Sequence, residues 1–172
     1  MSNYRPIYGK QLWSNDAFVS VSTEAKIVYF YLLTNPESEI TGIQKVRIGR
    51  IACDCNLDAE IVHEALLELL GNDLIVYNVE TNFVYIYRYF HFAKGTIKNP
   101  SVLAKCIQRQ RELALDKDSW ELFEYEYPEE LLSINKTLMN NQSNKDKNNT
   151  KSKNGNRDSD RDSNNSVRSL DA

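Results

Sequence analysis

The chain has 172 residues, 41% of them hydrophobic and 26% charged, with a formal net charge of −3 and a mean hydropathy of −0.54. No apolar run approaches the roughly eighteen residues of a membrane-spanning helix, and the opening MSNYRPIYGK has no apolar stretch of the signal-peptide kind. Three cysteines, an odd count, argue against a disulfide framework and fit a reducing cytoplasm.

In chain order, QLWSNDAF (11–18) reads as an ordered loop anchored by Trp13 and Phe18. Ser22 is placed to cap a first helix, with Glu24 in the first turn, where the helix dipole favours an acid. That helix, AKIVYFYLLTN, is apolar nearly all round, as expected at the centre of a core. Asn35-Pro36 ends it. ITGIQKV follows as a short extended stretch interrupted by Gly42, and RIGRIACDC as a short second helix weakened by Gly49. Asn56 or Asp58 can cap a third helix, AEIVHEALLELLG, which stops at Gly71-Asn72. At 100° per residue its inner half is Ile61, Val62, Ala65, Leu66, Leu69 and Leu70. Glu60, His63, Glu64, Leu67 and Glu68 form the outer half.

LIVYNV and FVYIYRYF are rich in β-branched and aromatic residues and are separated by Glu80-Thr81-Asn82. This is a hairpin signal, with Asn82 suited to a left-handed backbone. HFAKGTIK reads as a loop. Asn99 as cap and Pro100 as first residue start a fourth helix, running to about Leu115. Its inner face is Leu103, Cys106, Ile107, Leu113 and Ala114, opposite Ser101, Lys105, Gln108 and Arg109. SWELFEYEYPEELL is expected to pack back through Trp120 and Phe123.

The Asn-, Ser- and Lys-rich end has no aromatic residue from Asn140 on and little apolar surface to offset the entropy of ordering. Residues 136–172 are therefore expected to be a disordered tail behind a folded domain of residues 1–135. The tail reads as a solubilising segment or as a weak cationic tether to nucleic acid; its RDSDRDS stretch neutralises itself. The order helix, short strand, helix, helix, hairpin, helix predicts an α+β, mainly α fold. The expectation is a winged helix-turn-helix with a two-stranded wing and extra C-terminal helices.

Charge is segregated along this order. Residues 51–87 hold seven acids and no base, 88–111 six bases and no acid, and 112–130 eight acids and one lysine. The outer face of the third helix, with three glutamates, is unsuited to a phosphate-flanked major groove. His63, Glu64 and Leu67 on that face are candidates for a partner interface, against the bland reading of a solvated face. Lys45, Arg47 and Arg50 lie around the start of the second helix. Arg88, Lys94 and Lys98 follow the hairpin, and Lys105 and Arg109 share a face of the fourth helix. These eight are the candidate DNA contacts, the later group interleaved by Tyr87, Tyr89, Phe90, His91 and Phe92. The competing reading pairs the bases with neighbouring acids and places the rings in the core.

No enzyme is expected. Cys53-x-Cys55 lacks a second ligand pair and reads as a buried core cysteine at Cys53. Neither histidine has a nucleophile or carboxylate at recognisable spacing, and no glycine-rich phosphate loop is present. No cofactor or metal is expected.

Several phrases together resemble one family. They are Trp13 with Phe18; Ser22-x-x-Ala25-Lys26 entering the first helix; Tyr31 to Pro36, YLLTNP, closing it; Gly42-Ile43; and an aromatic strand leading to Asn99-Pro100. Over residues 7–113 the chain resembles the N-terminal winged-helix domain of phage replisome organisers and DnaD-like primosomal replication proteins. The resemblance implies a protein of phage or plasmid replication initiation in the cytoplasm of a bacterial host. It implies binding to double-stranded origin DNA, self-association as a homo-oligomer, and help in recruiting the replicative helicase or its loader, with no membrane involved. Longer members carry a further helical domain, where this chain continues into its Asn-rich stretch. Two other readings share the fold: a protein-interaction module docking through Leu67, and a transcriptional regulator.

Overall fold

The computed structural model describes residue 7, residues 9–113 and residues 116–154, with backbone alone at 113 and 144–154. The described residues form nine α-helices and three strands: α1 (Gly9–Trp13), α2 (Asp16–Ser20), α3 (Thr23–Thr34), β1 (Ile43–Lys45), α4 (Ile48–Cys55), α5 (Ala59–Gly71), β2 (Ile75–Asn78), β3 (Phe83–Ile86), α6 (Tyr89–Ala93), α7 (Pro100–Leu113), α8 (Lys117–Glu126) and α9 (Pro128–Asn154). The fold is mainly helical with one small antiparallel sheet, in the order β1-β3-β2. No helix among the described residues is long and apolar enough to cross a membrane.

Residues 11–18 are two short helices and not a loop. The anticipated aromatic pair still pins them: Trp13 and Phe18 meet edge to face at 5.3 Å, with Phe18 fully buried. Asn15 caps α2 by accepting from Ala17 N at 3.0 Å. Ser22 caps α3 as expected, its Oγ accepting from Ala25 N at 3.1 Å. The Ser22 N–H and O–H in turn donate to the two oxygens of Glu68 on α5. Glu68 thus ties α5 to the start of α3 and is not a free outer-face acid.

At its other end α3 stops at Asn35, whose buried amide donates to Gln44 Oε1 at 2.9 Å. Gln44 of β1 donates to Leu32 O at 2.8 Å. Buried polar groups need such partners, and here they lock β1 against the end of α3. Gly42, just before β1, has φ +78°; a Cβ there would lie 2.9 Å from Tyr89 Cβ. Only glycine allows that approach.

α4 and α5 are joined through Asn56, which is left-handed at φ 54°, and both pack on α3. Asp58 occupies the cap position of α5 but makes no side-chain cap bond. Val62, Ala65, Leu66 and Leu69 are its buried residues. On α4, Ile48, Ile51, Ala52 and Cys55 turn inward and Cys53 is exposed. The expected buried Cys53 is thereby corrected, because the i, i+3, i+4, i+7 stripe leaves it on the outer side.

The β2–β3 hairpin forms with Val76 opposite Tyr85, and Asn82 is left-handed at φ 57° as its position required. β1 adds as a third strand, Ile43 opposite Tyr85, so the sheet is wider than the expected two-stranded wing. β3 stops at Ile86, short of the FVYIYRYF run. The chain turns left-handed at Arg88, φ 59°, and enters α6. Packing explains the break: the helical turn buries Phe90 against Phe123 and Tyr127, with ring centroids 5.1 and 5.0 Å away. The HFAKGTIK segment accordingly contains the end of α6 and a single 3₁₀ turn, Lys94–Thr96.

Asn99 caps α7, accepting from Ser101 N at 2.9 Å. Ala104 and Ile107 are its buried residues, with Leu103 and Cys106 half-buried. The expected inward residue Ala114 and the Leu113 side chain lie outside the described residues. Trp120 and Phe123 of α8 pack into the core as anticipated.

α9 runs Pro128–Asn154, so it begins in the expected folded domain and continues into the expected tail; residues 155–172 lie outside the described residues. Ile134, with Leu131 and Leu138 half-buried, holds α9 on the body. Once nucleated, a helix gains one hydrogen bond for each residue it adds.

Candidate nucleic-acid interface

The eight candidate cations fall into two chemical classes. At the start of α4, Arg50 Nη1 lies 3.1 Å from Glu37 Oε1 and its Nε 3.5 Å from Asp54 Oδ2. Arg47 Nη1 lies 3.7 Å from the same Glu37 oxygen. Asp54 also accepts from Tyr31 OH at 3.0 Å. These two arginines therefore belong to a surface network of this chain's own carboxylates. Lys94 is held more tightly. Its Nζ is 2.7 Å from Glu130 Oε1 and 5.8 Å from the Phe90 ring centroid. The Lys94 hydrogen bond keeps the Glu130 carboxyl below its ordinary pKa. Lys94 is a bridge between α6 and α9, not a free phosphate contact.

Lys45, Arg88, Lys98, Lys105 and Arg109 are exposed, and no ion pair involves them among the described residues. Lys45 ends β1 and Arg88 is the left-handed residue before α6. Lys98, Lys105 and Arg109 lie just before and on α7. Lys98 precedes the Asn99 cap, and Lys105 and Arg109 stand one turn apart on α7. Gln110, on the inner side, fixes the rotation of α7. Its Oε1 accepts from Thr41 N at 3.3 Å, and its Nε2 donates to Glu39 Oε2 at 2.6 Å. That orientation leaves Val102, Lys105 and Arg109 facing out, with Val102 44% exposed.

Other surfaces differ in sign. Glu60 and Glu64 are exposed on α5, Leu67 is 44% exposed one turn beyond Glu64, and the hairpin turn carries Glu80 and no base. His63 is half-buried with Nδ1 unpartnered, and its ring meets Tyr77 edge to face at 6.3 Å. It therefore leans into the hairpin instead of completing an open face with Glu64 and Leu67.

Of the interleaved aromatics, Tyr89 and Phe90 are buried and Tyr87 and Phe92 half-buried; His91 is exposed. The rings are predominantly core, with little left for base stacking.

Sequence reasoning missed two polar nodes. The Tyr85 hydroxyl donates to Glu126 on α8; burial, then this carboxylate, raises its pKa well above the usual phenol value. Asp116, 2% exposed, accepts from Thr81 Oγ1 at 2.9 Å, Asn78 Nδ2 at 3.2 Å and the Ser119 hydroxyl. Both join residues more than thirty positions apart, and no local pattern marks them. No group of three or more potential metal ligands occurs among the described residues.

Comparison with protein-family models, curated proteins and solved structures finds no match to this chain.

Proposed function

We propose that the chain is a winged-helix DNA-binding protein of phage or plasmid replication initiation that binds double-stranded origin DNA and self-associates. The order α3, β1, α4, α5, β2, β3, with β1 beside β3, supports the winged-helix reading, with α4 and α5 as the helix-turn-helix and β2–β3 as the wing. The observation that carries DNA binding is the group Lys98, Lys105 and Arg109: exposed, just before and on α7, and free of ion pairs to this chain's carboxylates among the described residues. Cations so placed release counterions from a nucleic-acid backbone.

The acidic outer face of α5 and the uncharged-to-acidic hairpin turn would repel phosphates. Contact in this reading therefore runs through α7 and is directed at the backbone more than at base edges. Replication, with the replicative helicase or its loader as a further partner, rests on the family resemblance of residues 7–113.

The test is a gel-shift titration with double-stranded DNA. Changing Lys98, Lys105 and Arg109 together to Glu is expected to abolish binding while the circular-dichroism spectrum stays unchanged. Unaltered affinity would refute the surface. Mapping bound DNA to an origin or to a promoter separates replication from transcriptional regulation. A second reading, a protein-interaction module, is favoured by Leu67, which stays exposed one turn beyond Glu64 on the acidic face of α5.

A further inference from the structure

The outer faces of α5 and α7 are complementary in charge, polarity and spacing. On α5, Glu60, Glu64 and Leu67 follow at intervals of four and three. On α7, read backwards, Arg109, Lys105 and Val102 follow at the same intervals of four and three. At ~1.5 Å rise per residue both stripes span about 10.5 Å, and steps of three and four keep each on one helix face. All four charged side chains are exposed, and none makes an ion pair among the described residues. Leu67 and Val102 are each 44% exposed.

We propose that α5 of one copy docks antiparallel on α7 of a second copy, pairing Glu60 with Arg109, Glu64 with Lys105 and Leu67 with Val102. Within one chain the two helices have no mutual use for these faces: α5 packs on α3 and α4, and α7 on α9. The neighbouring acids on the two helices have hydrogen-bond partners of their own. Glu68 is engaged by Ser22, and Glu112 accepts a hydrogen bond from Gln108 at 3.0 Å.

Each copy offers one acidic and one basic face, so the contact closes as a two-fold dimer where both faces meet the same partner, and otherwise runs head to tail into a ring or an open chain. Two ion pairs and one small apolar contact make a weak interface at the low end of the size range, strengthened at low salt. The same Lys105 and Arg109 carry the proposed DNA contact, so DNA and a second copy compete for α7. The docking itself does not depend on that reading.

The experiment is sedimentation velocity of the full chain without DNA. At about 50 mM salt the wild type is expected to sediment faster as concentration rises, and at about 500 mM to return to monomer. Glu60→Lys with Glu64→Lys in one variant, and Lys105→Glu with Arg109→Glu in another, should each be monomeric alone. An equimolar mixture of the two restores both opposite-charge pairings and should associate again, which also shows that both variants are folded. A wild type that stays monomeric at low salt, either variant that still self-associates, or a mixture that stays monomeric overturns the proposal. DNA binding plays no part in this readout, so its failure leaves the DNA reading to its own titration.

Discussion

Lys94 and Lys98 lie four residues apart and serve different ends. Lys94 is drawn onto Glu130 and the face of Phe90 because α6 and α9 meet there, whereas Lys98 stands in the open at the entry to α7. Position in the fold, not residue type, decides which cation remains available to a polyanion. Burial acts in the same residue-by-residue way on Tyr29, whose hydroxyl is pushed up to about 12 by desolvation. The folded-state value lies above the ordinary 10.0, so this contribution to stability is complete below pH 10. It is lost as pH rises through about 12, and a shift of this size is worth roughly 2–3 kcal/mol. Tyr29→Phe lacks an ionisable group there. In urea titrations the stability of the wild type relative to Tyr29→Phe is expected to fall between pH 10 and 12; a constant difference would show that Tyr29 ionises as easily folded as unfolded.

Asp116 shows how one element is held by another. It caps α8 through Ser119 N and also accepts from Asn78 and Thr81, which lie in and just beyond β2. The hairpin turn is thereby anchored to the C-terminal helices. Asp116→Ala would leave buried donors without partners, at a cost on the order of 2–3 kcal/mol. The midpoint of chemical unfolding should fall accordingly, and amides of residues 78–82 should exchange faster with solvent. Unchanged exchange would mean that the hairpin keeps its place without this tie.

Elements of this scale were also the most legible in the sequence. Ser22, Asn35-Pro36 and Asn99-Pro100 marked helix ends, and the spacing of Val62, Ala65, Leu66 and Leu69 marked a buried face, because caps and periodicity are local. What escaped was non-local: β1 joining the hairpin, Phe90 turning β3 into α6 to reach Phe123, and Lys94 meeting Glu130 across the fold. Three apolar residues at 131, 134 and 138 hold the start of α9 to the body. For the candidate interface, the sequence marked every cation but could not sort the paired from the free.

At the scale of the whole molecule, charge is arranged by element: acids on α5, in the hairpin turn and along α8, bases on and just before α7. Among the described residues the cations without an ion pair are grouped only along that last element; Lys45 and Arg88 stand singly elsewhere. A molecule so arranged is expected to bind DNA through phosphates with strong salt dependence and modest preference for sequence. The most direct measurement is the slope of log affinity against log salt for the wild type and for a variant with Lys98, Lys105 and Arg109 all changed to Gln. Each phosphate contact contributes about 0.9 to that slope, so the variant's slope is expected to be shallower by roughly 2.7 and its binding much weaker at low salt. Equal slopes, or wild-type binding indifferent to salt, would contradict a DNA surface on α7.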